Sequence, residues 1–462
     1  MIEILSSLGK NEYDIHSLTK AFYPLEDVRV SEIERQDEKD PVLIYKFDGK
    51  EDFIVTVPEN NRDELKRIIY RKLKELTGKE LPWGSLTGIR PVKMAMERFR
   101  SGMNRDEVIA DMMKQYYVNQ NKAVLCADIA VAEKDILAGI EKRSFSLYVD
   151  IPFCPTTCLY CSFTSNRVGK NRDVVKKYLS ALCTEIKSAG ELFKDRKPET
   201  IYIGGGTPTT LTPEELNGLL DCLGASFDVS KASEYTLEAG RPDTIDKEIL
   251  RVIKDHGISR ICINPQTMND ETLRLIGRSH DTGQVKRAFC LAREEGFDNI
   301  NMDIILGLPG EGESEVGYTM EELKKLSPDN LTIHTLAIKR ASLLGDKTLK
   351  DVRERLPLTE GMMERALEGA YEMGMKPYYL YRQKNMSGNL ENTGFAKDGK
   401  YGIYNILINE EVQDILALGA GAISKRVYDG GNCLRSANFK LVDQYTDNVG
   451  EMIRRKRELF AK

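Results

Sequence analysis

Histidine, tryptophan and long apolar runs are scarce in this chain of 462 residues. It contains four histidines and one tryptophan, and no apolar run approaches the roughly 18 residues of a membrane-spanning helix. The first residues, MIEILSSLGKNEYDIHSL, lack the basic start and the long apolar region of a signal peptide. Basic residues are not in excess, since the formal net charge is −5. We therefore expect no transmembrane segment and no nucleic-acid surface.

The cysteines are few but unevenly placed. All nine, an odd number, are expected to be free thiols, which indicates a reducing, cytoplasmic environment. Three lie in the run SLYVDIPFCPTTCLYCSF, as Cys154, Cys158 and Cys161, with the spacing C-x3-C-x2-C after an apolar, β-branched stretch. The other six are interpreted as core or incidental thiols: Cys126, Cys183, Cys222, Cys262, Cys290 and Cys433.

Three thiolates in one short loop can bind three irons of a [4Fe–4S] cluster and leave the fourth iron open to a small molecule. Zinc is a weaker alternative, because a zinc site needs a fourth Cys or His nearby and no histidine lies between His16 and His256. A disulfide would leave the third thiol unused. The spacing therefore predicts an iron–sulfur cluster.

The middle of the chain, residues 146–340, alternates apolar strands with amphipathic helices. Candidate strands begin near residues 146, 200, 234, 260, 300 and 331. This pattern is typical of a parallel sheet, and six such units predict an α/β fold with a partial, TIM-like (β/α)6 barrel. Residues 1–145 predict an α+β extension, with a hairpin over DPVLIYKFDGKEDFIVTVP and a helix that ends at Gly78. Residues 341–462 predict a mixed region that covers the substrate.

Polar residues follow several of these strands, where the active sites of parallel barrels lie. The run from Gly204 to Thr207 would let a ligand approach the backbone, although it could be a plain turn. Glu238 and Gln266 end two further strands, and Asp303 is an acid inside an apolar strand. A surface salt bridge remains the alternative for a lone glutamate such as Glu238.

Taken in order, these motifs resemble one enzyme family. The segments YVDIPFCPTTCLYCSF, GGGTPT, LEAGRPD, PQT, IGRSHD, MDIILGLPGE and LGAGAIS are similar to those of the radical S-adenosylmethionine (SAM) enzymes in the oxygen-independent coproporphyrinogen III oxidase-like family. The resemblance runs from about residue 146 to about residue 440. The extension that carries LPWGSLTGIRPVK is most similar to the HemZ branch of coproporphyrinogen dehydrogenases.

The resemblance implies roles for individual residues. The cluster ligands would be Cys154, Cys158 and Cys161. Contacts with one or two SAM molecules would come from Tyr148, Tyr160, Gly205, Gly206, Thr207, Glu238, Gln266, Arg278, Asp303 and Ala420. On spacing alone, a helix-surface arginine is an equal alternative for Arg278.

The implied activity is the anaerobic decarboxylation of a tetrapyrrole. Cleavage of SAM would yield a radical that takes hydrogen from a propionate side chain of coproporphyrinogen III. Loss of carbon dioxide and one electron, twice per substrate, would give the vinyl groups of protoporphyrinogen IX in haem biosynthesis. A reduced flavodoxin or a ferredoxin-type protein would donate the electron. The substrate carboxylates need cations, for which Arg241 and Arg382, with Lys384 and Lys425, are candidates.

Two alternatives from the same family stay open. One is a haem-binding or haem-delivery protein, although YGIYNILINEE lacks the His and Trp of the His-Asn-x-x-Tyr-Trp segment in that branch. The other is a radical methyltransferase that opens haem. Only about 40 residues follow Gly421, so the helical C-terminal domain that is usual in the family is short here.

Overall fold

The computed structural model of the protein describes residues 1–24, 26–34, 41–48, 52–57, 61–88, 90–141, 143–163, 166–169, 172–339, 341–345, 360–383, 387–428 and 432–461. The chain divides into a first unit, residues 1–131 with 380–392, and a second unit, residues 132–379 with 393–462. These boundaries differ from the three ranges expected from the sequence, because the C-terminal region contributes to both units.

The first unit contains a four-stranded sheet with the order β2-β1-β3-β4. Its strands are β1 (Ile2–Ser6), β2 (Val28–Glu32), β3 (Val42–Phe47) and β4 (Phe53–Thr56). β1 is parallel to β2 and antiparallel to β3, and β3 pairs with β4 as the expected antiparallel hairpin. The helices that begin in this unit are Glu12–Phe22, Arg62–Thr77, Pro91–Arg100, Arg105–Tyr116 and Gln120–Ala138.

The helix Arg62–Thr77 illustrates how local sequence sets an element. Asn61 accepts a hydrogen bond from the backbone N–H of Glu64 at 3.0 Å, which satisfies one of the free donors of the first turn. Gly78 ends the helix in the left-handed region at φ 66°, where a residue without a side chain is favoured. The predicted C-terminal residue is therefore confirmed. Leu65, Ile69 and Leu73 recur at a spacing of four and pack into the core of the unit.

The second unit is built on an eleven-stranded sheet with the order β13-β14-β12-β11-β10-β9-β8-β5-β15-β16-β17. Its strands, with the two-residue pair β6 and β7, are β5 (Phe145–Ile151), β6 (Phe153–Cys154), β7 (Asn166–Arg167), β8 (Pro198–Gly205), β9 (Glu234–Glu238), β10 (Arg260–Cys262), β11 (Ile300–Leu306), β12 (Asn330–Thr335), β13 (Lys376–Tyr381), β14 (Asn392–Ala396), β15 (Asp414–Leu418), β16 (Ile423–Val427) and β17 (Cys433–Ala437).

The six predicted strands are confirmed as β5, β8, β9, β10, β11 and β12. They are parallel neighbours in that order, as successive βα units require. The helices of this unit are Asp173–Phe193, Pro213–Ser226, Lys247–Asp255, Asp270–Leu275, Thr282–Glu294, Glu313–Leu326, Glu360–Glu372, Ile403–Glu410, Val442–Asp447 and Val449–Ala461. The α/β class with six parallel βα units is the fold expected from the sequence.

The C-terminal region extends this sheet on both sides. β14 adds antiparallel to β12, whereas β15 adds parallel to β5 and is followed by the antiparallel strands β16 and β17. β15 was not predicted as a strand of the sheet. It brings the ILALGAG segment beside the strand that precedes the cysteine loop, and so places Ala420 near the carboxyl end of β5.

Candidate functional site

The cysteine loop follows β5 and is anchored to neighbouring segments of the second unit. The backbone N–H of Leu159 donates to the carbonyl of Ile276 at 3.0 Å. The hydroxyl of Thr156 donates to the carbonyl of Gly277 at 3.1 Å. Cys158 is buried, and Cys154 and Cys161 are half-buried free thiols. These contacts hold the loop at the carboxyl end of the parallel strands.

The donor set fits an iron–sulfur cluster. Burial raises the pKa of the Cys161 thiol, and the neighbouring thiols Cys158 and Cys154 raise it further. Among the described residues, no three His, Cys, Asp or Glu side chains surround a position for one metal ion. A [4Fe–4S] cluster does not need that arrangement, because each thiolate binds a different iron. The nearby guanidinium groups of Arg241 and Arg278 would offset the charge of three thiolates.

Arg241 lies against the cysteine loop. Its guanidinium donates to the Thr156 hydroxyl at 2.9 Å and lies 3.8 Å from the sulfur of Cys158. It also forms an ion pair with Asp243 at 3.2 Å, and the residue is 3% exposed. Thr156, Cys158 and Asp243 thus already engage the guanidinium N–H groups that a substrate carboxylate would need as donors. The substrate role of Arg241 stays a prediction, and the structure offers the residue another role.

The glycine run after β8 packs on the chain itself. Gly205 has φ 105°, and a Cβ there would lie 2.2 Å from Oδ1 of Asp150. A Cβ on Gly206 would lie 2.5 Å from the carbonyl oxygen of Phe153. The N–H of Thr207 donates to that same carbonyl at 2.7 Å. A side chain on Gly205 would therefore displace Asp150, and one on Gly206 would displace the backbone just before Cys154, which the sequence did not reveal.

Two half-buried carboxyl groups, Asp150 and Glu238, flank this run. Tyr148 donates to Asp150 at 3.0 Å, and Tyr202 donates to Glu238 at 2.5 Å. Burial raises the pKa of Asp150 to about 7 and that of Glu238 to about 7. Neither carboxyl forms an ion pair with any residue that the structure describes. Such groups favour a cationic ligand, because a charge without a partner is costly to bury.

Asp303 differs from these two acids. Burial alone would raise the pKa of its carboxyl, but His334, Asn301 and Thr332 outweigh that effect and lower it. Asn301 donates to Asp303 at 2.7 Å, and a ring nitrogen of His334 lies 3.7 Å away. Asp303 is therefore held as a carboxylate by the chain itself. Its predicted SAM contact stays a prediction.

Three tyrosines lie beside the two carboxyls. The rings of Tyr202 and Tyr404 stack at 4.5 Å, and the ring of Tyr148 lies 6.3 Å from each of them. Tyr404 comes from the helix Ile403–Glu410, far away in the sequence. Sequence reasoning missed Tyr404 and Asp150. Asp150 carried a usable signal, because it is an acid inside an apolar strand, which is the criterion that selected Asp303.

Gln266 has the most unusual backbone of the candidate residues. It adopts φ 69°, which is rare for a residue with a side chain, and it is 7% exposed. Its Oε1 is buried without a hydrogen-bond partner in the described part of the chain, as is Oδ1 of Asn264. Strained and unsatisfied groups concentrate at ligand sites. Both oxygens are suited to accept hydrogen bonds from a bound molecule.

Arg278 is buried and bonded to the site's own backbone. It donates to the carbonyls of Gly240 at 3.1 Å and Asn264 at 2.7 Å. Its other terminal nitrogen donates to the hydroxyl of Tyr160 at 3.2 Å. The surface alternative for Arg278 is therefore excluded, since the residue is 8% exposed. Its contact with SAM stays a prediction.

Ala420 lies in a turn that is held by buried polar groups. Its N–H and that of Gly419 donate to Tyr178 at 3.1 Å and to Glu185 at 2.8 Å. Tyr178 in turn donates to the carbonyl of Asp150 at 2.6 Å. Further donors to Glu185 at 2.7–2.9 Å are Asn438, Tyr445 and Lys456. The C-terminal helices thus position the turn beside β5.

The remaining cation candidates are not part of this cluster of residues. Lys425 forms an ion pair with Glu411 at 2.8 Å. Arg382 belongs to the first unit, where it donates to the carbonyl of Leu86 at 2.8 Å and lies 5.5 Å from the ring centre of Trp83. Burial lowers the pKa of Arg382 to about 10. Lys384 lies outside the described residues, and the substrate role of Arg382 stays a prediction.

Comparison with known proteins decides the family. Residues 148–323 match the model of the Radical SAM superfamily. The chain is 40% identical over 412 residues to the oxygen-independent coproporphyrinogen-III oxidase-like protein HemZ of Bacillus subtilis, and the alignment covers 87% of this chain and 82% of that protein. The chain belongs to the oxygen-independent coproporphyrinogen III oxidase-like family. Its similarity to HemZ, expected from the N-terminal extension, is confirmed.

Other members of the family are also similar. The haem chaperone HemW of Bacillus subtilis is 32% identical over 309 residues, which cover 66% of this chain and 76% of that protein. The solved structure of the coproporphyrinogen III oxidase HemN from Escherichia coli, a radical SAM enzyme, matches with a TM-score of 0.55 at 25% identity. It covers 70% of this chain and 73% of HemN. The family thus includes proteins named for different roles.

Membership in the radical SAM superfamily implies a [4Fe–4S] cluster and SAM, and the cysteine loop supplies ligands of the required type. In the part of the chain that the structure describes, no helix is both long enough and apolar enough to span a membrane.

Proposed function

We propose that this member of the oxygen-independent coproporphyrinogen III oxidase-like family is a radical SAM oxidoreductase. It converts two propionate side chains of coproporphyrinogen III to vinyl groups and gives protoporphyrinogen IX. The observation that carries the proposal is the C-x3-C-x2-C loop at the carboxyl ends of six parallel strands, beside the half-buried carboxyls of Asp150 and Glu238, which form no ion pair within the described residues. Similarity over 82% of the coproporphyrinogen-III oxidase-like protein HemZ supports the choice of substrate.

Cys154, Cys158 and Cys161 bind the cluster in this proposal, and the strand ends bind SAM. SAM carries an ammonium and a sulfonium group, and these positive charges can pair with the carboxyls of Asp150 and Glu238. Binding of these cations favours the ionised carboxyls and offsets the cost of burying them. The free oxygens of Gln266 and Asn264 accept hydrogen bonds from the amine or the ribose hydroxyls. Aromatic packing by Tyr148 and Tyr202 keeps water from this region.

Cluster and SAM, when bound, supply the radical chemistry that removes hydrogen from the β-carbon of each propionate. The carboxyl carbon then leaves as carbon dioxide, and one electron passes to an acceptor. A reduced flavodoxin or ferredoxin-type protein supplies the electron that starts each cycle. Two propionates react per substrate, so one SAM is consumed for each, bound singly or as a pair.

Anaerobic turnover tests this function directly. The reconstituted protein is incubated with SAM, a reductant and coproporphyrinogen III, and the tetrapyrrole products are weighed. We expect a product lighter by two carbon dioxide molecules and four hydrogen atoms, with two molecules of 5′-deoxyadenosine formed for each product molecule. The Cys158→Ala variant, which should lack an intact cluster, is the control and should give neither product. If 5′-deoxyadenosine forms without a lighter tetrapyrrole, the decarboxylase assignment is wrong.

Haem delivery is the second candidate, because the haem chaperone HemW is 32% identical to this chain. The described helix Ile403–Glu410 occupies the segment in which that branch is expected to carry His and Trp, and it has neither. Spectral titration with haem separates the two functions. Stoichiometric haem binding without tetrapyrrole decarboxylation would favour delivery. A heavier, methylated and opened tetrapyrrole would instead identify a haem methyltransferase.

A further inference from the structure

The three cysteines have unequal surroundings. Cys158 has the guanidinium of Arg241 at 3.8 Å from its sulfur. In the same loop, the hydroxyl of Tyr160 accepts a hydrogen bond from Arg278 at 3.2 Å. The sulfur of Cys154, by contrast, lies 3.5 Å from the neutral hydroxyl of Thr207. Arg241 therefore brings positive charge against the sulfur of Cys158.

Arg241 is held in this position from two sides. On the side of the cysteine loop it donates to Thr156, at 2.9 Å to the hydroxyl and at 3.4 Å to the carbonyl. On the other side both carboxylate oxygens of Asp243 lie within 3.3 Å of it. Asp243 in turn lies 3.8 Å from a ring nitrogen of His280, which is buried. The guanidinium charge at Cys158 is thus fixed in place and partly balanced by one carboxylate.

A donor in this position affects reduction more than it affects the fold. Reduction adds one electron to a cluster, so negative charge on the sulfurs increases. Hydrogen bonds and cations near the sulfurs stabilise the reduced form, and they act strongly here because the site is buried. A carboxylate behind the cation has the opposite effect.

We propose that Arg241 raises the reduction potential of the cluster through Cys158, and that Asp243 moderates this effect. The proposal rests on the cluster ligation in the proposed function, but not on the tetrapyrrole or on decarboxylation. It gives Arg241 a role in electron uptake in place of substrate binding. Arg241 does not react with the substrate in this role; it sets the charge around a cluster ligand.

The test is a reductive titration of the reconstituted full-length protein, followed by electron paramagnetic resonance and visible absorption. Arg241→Met keeps the length of the side chain but removes its charge and donors. Because a hydrogen bond to a charged group is lost, we expect the equilibrium constant for one-electron reduction to fall about tenfold. That change corresponds to about 59 mV towards more negative potential.

Arg167→Met is the matched control, because the exposed Arg167 donates to the carbonyl of Pro155 in the same loop. We expect its equilibrium constant to stay within threefold of the wild type. Asp243→Asn should shift the potential in the positive direction, since it removes the balancing carboxylate and keeps an acceptor for Arg241. A general loosening of the loop would not shift the reduction potential in opposite directions in Arg241→Met and Asp243→Asn.

The proposal is overturned if Arg241→Met, at full iron content, reduces with a constant within threefold of the wild type. It is also overturned if Asp243→Asn fails to shift the potential upwards. If Arg241→Met does not retain four irons, Asp243→Asn alone decides. The two variants could show the expected shifts in reduction potential while the wild type never decarboxylates coproporphyrinogen III. That result would overturn the proposed substrate and leave this inference in place.

Discussion

A buried ion pair in the first unit and the two carboxyls beside the cysteine loop in the second unit have different partners. In the first unit, Lys122 and Glu391 form an ion pair with side chains that are 6% and 0% exposed, and Glu391 also accepts from Trp83 at 2.8 Å. In the second unit, the half-buried carboxyls of Asp150 and Glu238 bond to tyrosine hydroxyls. A paired charge satisfies the fold by itself. A buried carboxyl without a cation costs stability and is retained where a ligand supplies the charge.

The largest effect should follow the loss of a cluster ligand in the second unit. Cys158→Ala is expected to lose most of about four irons per chain, since the remaining two thiolates cannot hold three irons. Iron analysis after anaerobic reconstitution measures this loss. Cys183→Ala is the control and should keep its cluster, because Cys183 lies in the helix Asp173–Phe193. The reverse result would contradict the assignment of the ligands.

Breaking the ion pair of the first unit should be the next largest effect. Lys122→Met removes the cation that pairs with the buried Glu391 and is expected to cost about 3–5 kcal/mol of unfolding free energy. Denaturant unfolding of the cluster-free protein measures it. Lys134→Met, an exposed change in the same helix, should cost less than about 0.5 kcal/mol. A cost as small as that of Lys134→Met would show that the pair contributes little to the fold.

Replacing Asp150, whose carboxyl forms no ion pair within the described residues, should raise the free energy of unfolding instead of lowering it. The pKa of Asp150 is raised to about 7 in the folded protein, above the value of about 3.9 for a free aspartate. The folded state therefore binds more protons than the unfolded state between about pH 4 and pH 7, and stability falls as pH rises through that window.

Asp150→Asn removes this dependence. We expect the variant without SAM to be more stable than the wild type by about 1–3 kcal/mol at pH 8, with no such gain near pH 4. SAM affinity, measured by calorimetry, should fall at the same time. Asp255→Asn, an exposed change at the end of the helix Lys247–Asp255, is the control. Lower stability of Asp150→Asn at pH 8 would mean that the carboxylate has a cationic partner within the protein.

The smallest effect should come from a satisfied network inside the second unit. Tyr445→Phe removes one of the four donors that surround Glu185 and should cost about 1 kcal/mol. Because Lys456 still pairs with Glu185 at 2.7 Å, SAM affinity should stay within about twofold. Unfolding and SAM titration of the same preparation measure both. A much larger loss of SAM affinity would show that the network positions the turn at Ala420 directly.

The parts of the fold that could be predicted depend on residues close in sequence. The six parallel strands follow from apolar runs separated by amphipathic helices, and the helix Arg62–Thr77 follows from its periodicity and from Gly78. β15 could not be predicted in the same way. Its run is short and ends in glycines, and its place is set by pairing with β5, which is distant in the chain.

The sequence by itself determined the chemistry of the site. Cys154, Cys158 and Cys161 lie within eight residues of one loop. Their sulfurs are therefore near one another because of their spacing along the chain, whatever the rest of the fold. The partners of the buried charges were decided by the tertiary structure. Arg241 and Arg382 were equivalent candidates in the sequence, yet one lies against Cys158 and the other donates to Leu86. Electrostatic and packing energies act through space, so the partner of a buried arginine depends on which distant segments the fold brings beside it.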